Sequence, residues 1–303
     1  MNAPHSAYAI GVDIGGTRIK CGRFDPATGR MQAQEMHPTQ DGELIAGQPA
    51  WAIRIREFIQ STESTHGQAA AVGIAAPGLS SKDNKMITFM PGRLAGLEGL
   101  NWSTIIDRPV SVLNDAHAAL LGETWCGAAA GMQDVVMLTL GTGVGGAILS
   151  GGNLLQGSMG RAGHLGHLTV NADGPRTIAG MPGGLDWVIG NATVAERSGG
   201  RFADTAALAE AIKAGDGQAM EVWDRSVYLL ACGIGSLINV LDPAMILLGG
   251  GIAELGELLF KPLQRHLDEV EWRPGGISVL IRQAQLGEWA GAYGAAKFAL
   301  QKR

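Results

Sequence analysis

The chain has 303 residues, a formal net charge of −5 and 46% hydrophobic residues, which predicts about two domains with packed cores. The acidic balance and the absence of a lysine-rich or arginine-rich block argue against nucleic acid or an anionic membrane as the main partner. The N-terminal sequence has no basic region followed by a long apolar stretch, and no segment reaches about 18 uninterrupted apolar residues, so a cytoplasmic protein is expected.

The cysteines exclude two further classes of protein. Cys21, Cys126 and Cys232 are widely spaced and form no C-x-x-C pair. This pattern offers neither a disulfide framework nor a zinc knuckle. Reduced thiols are what we expect in a cytosolic enzyme.

The first part of the chain is predicted to form antiparallel strands followed by βαβ units. Period-two alternation over 8–36, broken by glycine turns, predicts three consecutive antiparallel strands. A helix is predicted over 49–62. Short apolar runs at 70–78 and 108–115 end in turn residues, and helical spacing follows the second run, which indicates βαβ units.

The opening pattern then recurs at 134–157 as strand, glycine turn, strand, glycine turn and strand. Further elements follow this repeat, with helices predicted at 204–214, 217–241, 253–270 and 290–301 and strands at 244–248 and 277–281. The recurrence predicts an internal duplication within an α/β fold. Two such halves are expected to face each other across a cleft where ligands bind.

Two glycine turns carry the chemical signal. In DIGGTRIK, the turn Gly15-Gly16-Thr17 joins two strands, and backbone N–H groups without side chains can approach an anion closely. Asp13, at the strand end, could orient a hydrated Mg²⁺, whereas the alternative is a plain hairpin with a solvent-facing acid. The run LGTGVGGAI at 140–148 repeats the design, which favours phosphate binding over simple chain reversal.

The spacing of these glycines excludes two better-known phosphate loops. No G-x-x-x-x-G-K-[ST] sequence precedes a helix, so the turns are not P-loops. Gly141, Gly143 and Gly146 have the G-x-G-x-x-G spacing, but they lie between two strands rather than between a strand and a helix.

Six motifs occur in an order that resembles the ROK family of bacterial sugar kinases and repressors, within the actin-like and sugar-kinase ATPase superfamily. They are GVDIGGTRIK, GIAAPG, VLNDAHAALLGE, LTLGTGVGGAI, a G-x-x-G-x-x-GH run ending at His167, and LLGGGI. The resemblance extends from Tyr8 to the C-terminal helix. It implies two actin-like (ribonuclease H-like) lobes with a ligand cleft, ATP-dependent phosphorylation of a hexose-type sugar, and homodimers.

The resemblance also implies a domain organisation and a set of binding residues. The lobes are expected at 1–113, joined by the C-terminal helix 290–303, and at 114–289. Mg²⁺ is expected near Asp13, with water between the ion and the carboxylate. The phosphates of ATP are expected beside Gly15, Gly16, Thr17, Lys20, Thr142 and Gly143, and the adenosine beside Gly249, Gly250 and Gly251.

Asp115 is the candidate catalytic base. Phosphoryl transfer needs positioning, charge and a group that accepts the hydroxyl proton, and an unperturbed aspartate is ionised at neutral pH. Spacing alone leaves a second reading open, because Asp is also common as a helix cap at strand-to-helix joints. The resemblance favours the base. It also implies that Asn114 contacts sugar hydroxyls.

Departures from the family concern the sugar. His164 and Asp186 stand where the family has glutamates that bind sugar hydroxyls, whereas His167 is retained. These replacements predict a preference for a sugar other than glucose or N-acetylmannosamine. His164 and His167 could also be read as a metal pair, but the lack of a Cys or a further His nearby favours hydrogen bonding.

A second departure removes the family's zinc ligands. Thr177, Ala179 and Gly184 stand at the three cysteine positions, so no structural zinc is expected. The segment 90–102 lacks the family's asparagine after a proline and instead has Arg93, whose planar fork could bind an anionic or hydroxylated substrate or could simply be solvated. Gly78 completes the candidate sugar site.

Three alternatives to an ATP-dependent kinase follow from the same residues. A ROK repressor is not expected, because those proteins carry a helix-turn-helix domain before the first phosphate turn, whereas only seven residues precede Tyr8 in this sequence. A catalytically silent sugar sensor is permitted by the altered sugar residues. A kinase that uses polyphosphate is also permitted, because polyphosphate-using relatives lack the cysteine cluster.

Overall fold

The structure is a computed structural model that describes residues 7–302. The chain divides into two compact units. The first contains 7–131, Gln156–Ala162 and 285–302, and the second contains Met132–Leu155 and Gly163–Ala284. The domain boundaries predicted from the sequence stay a prediction.

The secondary structure alternates strands and helices along the chain. The strands are β1 (Ala9–Ile14), β2 (Arg18–Phe24), β3 (Met31–Pro38), β4 (Leu44–Ile45), β5 (Gln48–Pro49), β6 (Ala71–Ala76), β7 (Leu79–Ser80), β8 (Ile87–Phe89), β9 (Ser111–Asn114), β10 (Val135–Leu140), β11 (Val144–Ser150), β12 (Asn153–Leu154), β13 (Met245–Gly249) and β14 (Leu280–Gln283). The helices are α1 (Ala50–His66), α2 (Trp102–Ile106), α3 (Asp115–Cys126), α4 (Leu185–Ile189), α5 (Val194–Arg197), α6 (Thr205–Lys213), α7 (Gly217–Leu241), α8 (Glu257–Val270) and α9 (Ala290–Gln301).

The main sheets of the two units have the same design. The first has the strand order β3-β2-β1-β6-β9 and the second has the order β12-β11-β10-β13-β14. In each, an antiparallel three-stranded meander continues into two parallel strands. This correspondence confirms the predicted repetition of the strand pattern, and it places a glycine turn at the same point of each sheet.

The first unit is held together by close packing between α9 and the rest of the unit. A Cβ atom added at Gly11 in β1 or at Gly73 in β6 would lie 1.9 Å from a carbonyl oxygen of α9. A Cβ atom at Gly294 in α9 would lie 1.6 Å from the carbonyl oxygen of Ala118 in α3. Backbone contacts this close need glycine, because no side chain fits between the two segments.

Two further contacts complete the first unit. Glu123 of α3 is fully buried, and its carboxylate accepts hydrogen bonds from the N–H groups of Gln285 and Leu286 at 2.9 and 2.7 Å. The segment Gln156–Ala162 also lies here, where the carbonyl oxygen of Ala162 lies 2.8 Å from Nε2 of His117. Chain from three parts of the sequence therefore builds one unit.

The second unit is built around α7. Leu230, Ile234 and Leu237 of this helix belong to a continuous apolar core with strand and helix residues of the same unit. Within residues 7–302, α7 is the one helix with the length and apolar composition to cross a membrane. Of its most apolar 18-residue stretch, 56% is buried in the protein. That burial is what a core helix requires.

The main differences from the predicted elements lie in the second half. The strand expected over 277–281 begins only at Leu280, because its parallel pairing with β13 starts there, and Ile277 is 76% exposed. The helix expected over 253–270 is a 3₁₀ turn followed by α8, with a break at Gly256 where φ is +57°. The short elements β4, β5, β7, β8, α2, α4 and α5 were not predicted.

Candidate active site

The first glycine turn is a tight hairpin loop with free backbone donors. The N–H of Gly15 donates to the carbonyl oxygen of Arg18 at 2.9 Å, which leaves Gly16 and Thr17 as the turn residues between β1 and β2. Within residues 7–302, no hydrogen-bond acceptor is matched to the N–H groups of these two residues. An anion can therefore be bound here by backbone donors.

A buried threonine fixes the shape of this turn. The hydroxyl of Thr39 donates to the carbonyl oxygen of Gly15 at 2.6 Å, and its N–H donates to the carbonyl oxygen of Thr17 at 2.9 Å. Thr39 is fully buried. The two bonds satisfy the carbonyl groups of Gly15 and Thr17 and do not use the N–H groups of Gly16 and Thr17.

Asp13 and Lys20 form an ion pair beside the turn. The two residues face each other across the register of β1 and β2, with Nζ of Lys20 at 3.2 Å from Oδ2 of Asp13. Burial raises the pKa of Asp13 to about 6, an effect that Lys20 opposes and the charge of Asp115 reinforces. Asp13 is therefore held in a site where its charge is costly, and Asp115 lies close enough to interact with it.

Arg93 lies against the first turn. A Cβ atom added at Gly16 would be 3.1 Å from Nη1 of Arg93 and 3.8 Å from its Cζ. The sequence assigned Arg93 to the sugar, and the structure places its guanidinium beside a candidate phosphate residue.

Asn114 and Asp115 lie at the junction of β9 and α3. The side-chain oxygen of Asn114 accepts the N–H groups of Ala116 and His117 at 3.0 and 3.1 Å, so Asn114 is the N-cap. Its amide nitrogen donates to the carbonyl oxygen of Gly78 at 3.0 Å. Asp115 is the first residue of the helix, and its Oδ1 accepts the N–H of Ala116 at 2.8 Å.

The second glycine turn has the same hairpin geometry but different support. The N–H of Gly141 donates to the carbonyl oxygen of Gly143 at 2.9 Å. The N–H groups of Asn191 and Ala192 donate to the carbonyl oxygens of Gly141 and Thr142, each at 2.9 Å. In the described range, the N–H groups of Thr142 and Gly143 have no hydrogen-bond acceptor, as in the first turn.

Asp186 supports the second turn directly. Its Oδ1 accepts the N–H of Val144 at 2.5 Å, and a Cβ atom at Gly143 would lie 2.9 Å from the same oxygen. Oδ2 of Asp186 lies 3.5 Å from Nδ1 of His167. His167 is the last residue of a 3₁₀ turn that His164 precedes. The two predicted sugar residues Asp186 and His167 are thus neighbours, and one of them is also bonded to the turn.

The glycines expected at the adenosine follow β13. Gly249 is the last residue of the strand, and Gly250 has φ +83° with its Cβ position only 2.4 Å from the carbonyl oxygen of Leu140. Gly251 has open space where a side chain would begin. Gly250 therefore packs on the end of β10, while Gly251 leaves room beside it.

The segment at the family's zinc position is closed by backbone hydrogen bonds. The N–H of Thr177 donates to the carbonyl oxygen of Met181, and the N–H of Gly180 donates back to Thr177, each at 2.8 Å. Ala179 lies between them and Gly184 precedes α4. The described residues contain no group of three or more His, Cys, Asp or Glu side chains placed to hold a metal. The absence of structural zinc stays a prediction.

The structure thus groups the candidates in two sets. Asp13, Lys20, Arg93 and Asp115 lie with the first turn in one unit, and Asp186 and His167 lie with the second turn in the other. Sequence reasoning missed Thr39, which no local pattern marks. The Asp13–Lys20 pair could have been found by counting outward from the two-residue loop.

Comparisons with known proteins give the family. Residues 9–302 match the sequence model of the ROK family. The chain belongs to the ROK family. It is 32% identical over 312 residues to a glucokinase of Halalkalibacterium halodurans, a match that covers 95% of this chain and 93% of the relative.

Solved structures agree with that assignment. A ROK hexokinase from Thermus thermophilus has a TM-score of 0.82 and 30% identity, covering 97% of this chain and 98% of the other. A ROK family glucokinase from Streptomyces griseus, solved in complex with glucose and AMPPNP, has a TM-score of 0.76 and 29% identity, covering 97% and 100%. The predicted family, the α/β fold with two actin-like halves and the carbohydrate-kinase class are confirmed.

Proposed function

We propose that this ROK kinase transfers the γ-phosphoryl group of ATP to a hydroxyl of a hexose or hexose-like sugar, with Asp115 as the general base. The observation that carries the base assignment is the helix cap. Asn114 is the N-cap of α3, so the capping role that would explain an aspartate at 115 belongs to its neighbour, and Asp115 itself accepts the N–H of the adjacent Ala116 at the helix start.

The proposed transfer assigns a task to each side chain. The sugar hydroxyl oxygen forms a bond to the γ-phosphorus, the bond from that phosphorus to the bridging oxygen breaks, and ADP leaves with the electron pair. The hydroxyl proton passes to the carboxylate of Asp115. The free N–H groups of the two glycine turns hold the phosphates, and Gly249, Gly250 and Gly251 border the adenosine.

The residues beside the first turn fit a hydrated Mg²⁺. Asp13 and Asp115 are two carboxylates close enough for the charge of one to raise the pKa of the other. Mg²⁺ in proteins commonly takes one or two carboxylates and keeps several waters, so a group of three or more ligands is not required. When bound, the metal would offset negative charge on the phosphates. Asp13 would hold it through water, because its Oδ2 already contacts Lys20.

The sugar site is proposed around Asn114, Gly78, His164, His167 and Asp186. Gly78 and Asn114 are joined by a hydrogen bond, which fixes the amide of Asn114. The imidazole of His167 is 43% exposed, and its Nδ1 lies 3.5 Å from Oδ2 of Asp186. An imidazole at position 164 and a short carboxylate at 186 differ from two glutamates in reach, so we expect altered selectivity among hexoses. The homodimer and the cytoplasmic location stay predictions.

A sugar panel tests the proposed activity. Purified protein is incubated with hexoses, N-acetylated hexoses and pentoses, with ATP or polyphosphate as donor and with Mg²⁺ or EDTA, and phosphosugars are measured by mass. We expect Mg²⁺-dependent product from ATP with at least one sugar. If phosphosugar formed with polyphosphate and not with ATP, polyphosphate rather than ATP would be the donor. No product from any pair, with retained AMPPNP binding, would identify a silent sensor.

Substitution at His164 tests the selectivity. Restoring the family's residue with His164→Glu should raise kcat/KM for glucose relative to the preferred sugar by about tenfold or more, because a site built for hydrogen bonds discriminates strongly. His37→Glu, at a half-buried histidine on β3 that none of the proposed contacts involve, is the control. A wild-type preference for glucose that His164→Glu leaves unchanged would contradict the assignment.

A further inference from the structure

We propose that Arg93 binds the transferred phosphoryl group and stabilises its charge during the reaction, rather than binding the sugar. This inference rests on the proposed function, because it needs a phosphate donor at the first glycine turn. It assigns a positioning and charge-stabilising role to a residue that the sequence placed at the sugar.

The first argument is position. Nη1 of Arg93 lies 3.1 Å from the place where a side chain would begin at Gly16. The missing side chain of Gly16 therefore makes room for a guanidinium as well as for a ligand. A planar fork at this point can donate two parallel hydrogen bonds to phosphate oxygens held by the N–H groups of the turn.

The second argument is that the backbone beside Arg93 is fixed. Leu94 is 2% exposed, and its N–H donates to Oδ2 of Asp41 at 2.8 Å. Two residues before Asp41, Thr39 holds the carbonyl oxygens of Gly15 and Thr17. One short segment, 39–41, thus contacts both the first turn and the loop that carries Arg93. This shared support holds the backbone that carries Arg93 beside the turn.

The third argument is charge. Three cationic side chains lie near the first turn, and two have carboxylate partners. Lys20 pairs with Asp13 at 3.2 Å, and Arg18 lies 3.9 Å from Glu288. Across residues 7–302, Arg93 has neither an ion pair nor a hydrogen bond to a protein group. A cation beside unused N–H donors, without a carboxylate of its own, is a site for an anion.

The chemistry of transfer makes such a cation useful. Negative charge is spread over the oxygens of the phosphoryl group as the bond to the leaving oxygen breaks, and catalysis depends mainly on positioning and on stabilising that charge. The hydroxyl proton goes to Asp115, so Arg93 supplies charge and hydrogen bonds rather than proton transfer. Arg93 would act from within the same chain, so no second copy has to supply it.

The test separates a phosphate role from a sugar role. Arg93→Ala, Arg93→Lys and the control Arg18→Ala are compared with the wild type, each checked by thermal unfolding. Affinities for AMPPNP and for ADP are measured by titration, and kcat and sugar KM are measured with the sugar that the panel identifies. Arg18 is the matched control because it carries the same charge, borders the same turn and is paired elsewhere.

We expect Arg93→Ala to lower kcat by a factor on the order of 10²–10³, with sugar KM changed only a few fold, because the lost contact is made to the phosphoryl group. The preference for AMPPNP over ADP should fall, since only AMPPNP has the third phosphate. Arg93→Lys should recover part of kcat, because it keeps the charge but loses the fork. Arg18→Ala should resemble the wild type.

Two results would overturn the inference. A raised sugar KM with unchanged kcat and unchanged preference for AMPPNP would return Arg93 to the sugar. Wild-type values for every quantity would make Arg93 a solvated surface residue. The nucleotide titration requires no turnover, so it still tests Arg93 if the panel finds no phosphorylated sugar. Failure of the proposed function and failure of this inference therefore give different results.

Discussion

The two glycine turns have the same place in sheets of the same strand order, yet they are built from different chemistry. The first turn, Gly15–Thr17, is surrounded by charge from Asp13, Lys20 and Arg93. The second, Gly141–Gly143, is held by backbone N–H groups and by the single carboxylate of Asp186. The difference indicates that a repeated strand pattern fixes where a phosphate turn lies but not what charge it carries.

The packing of one core helix also differs between the two units. In the first unit, α9 approaches strands and α3 so closely that glycine is required at the contacts. In the second unit, the helix glycine Gly233 faces the flexible side chain of Leu185, with its Cβ position 3.0 Å from Cδ2. Substitution of a helix glycine is therefore expected to be tolerated less well at Gly294 of α9 than at Gly233 of α7.

The largest expected effect on stability tests this difference in packing. Gly294→Ala should lower the free energy of unfolding by at least about 3 kcal/mol, because its methyl group would meet the carbonyl of Ala118. Gly233→Ala should change it by less than about 1 kcal/mol, since a side chain can move and alanine favours the helix. Urea denaturation measures both. Equal losses would show that the packing of α9 and α7 at these two glycines does not differ in this way.

An effect of intermediate size concerns the buried charge of the first turn. Burial raises the pKa of Asp13 from 3.8 to about 6, so the folded protein holds this proton more tightly than the unfolded chain does. The contribution of this tighter proton binding to the free energy of unfolding is fully present below pH 3.8 and is lost as the pH rises through about 6.

Asp13→Asn removes this dependence. From pH 4.5 to 7.5, the stability of the wild type should fall relative to the variant by about 2 kcal/mol. Urea denaturation in EDTA at the two pH values measures the change. Asp107→Asn, at an exposed helix end of the same unit, is the control. If the difference in free energy of unfolding between the wild type and Asp13→Asn were the same at both pH values, the pKa of Asp13 would not be raised.

A smaller effect tests the support of the second turn. Asp186→Ala removes the acceptor of the Val144 N–H and should cost about 1–2 kcal/mol of unfolding free energy. Asp186→Asn keeps an acceptor oxygen and should cost less than Asp186→Ala. Denaturant titration of both variants measures this order. Equal losses in the two variants would show that the charge of Asp186, rather than its hydrogen bond, supports the turn.

The smallest expected effect is the response to chelation. The loop at Thr177–Met181 is closed by backbone hydrogen bonds rather than by side-chain metal ligands. EDTA should therefore leave the melting temperature unchanged, and elemental analysis should find well under one zinc per chain. About one zinc per chain after mild chelation would contradict this prediction.

Local patterns in the sequence predicted the repeated meanders and both glycine turns, because alternation and turn residues act over a few positions. Parallel pairing is not local, and the strand expected over 277–281 was misplaced because its register depends on β13. Thr39 and Arg93 reach the first turn from distant parts of the chain, so no spacing rule could place them there. Asn114, rather than Asp115, is the N-cap of α3. Both residue types are common caps, so only the hydrogen bonds of the folded chain distinguish them.

The most direct test of the account is the rate of phosphoryl transfer by Asp115→Asn, with Asp107→Asn as the matched control. The amide keeps the size of the side chain but accepts no proton, and Asn114 still caps α3. The account predicts that kcat falls by a factor on the order of 10²–10⁴, while AMPPNP affinity stays within a few fold and the control is unaffected. A near-normal kcat in Asp115→Asn would contradict it.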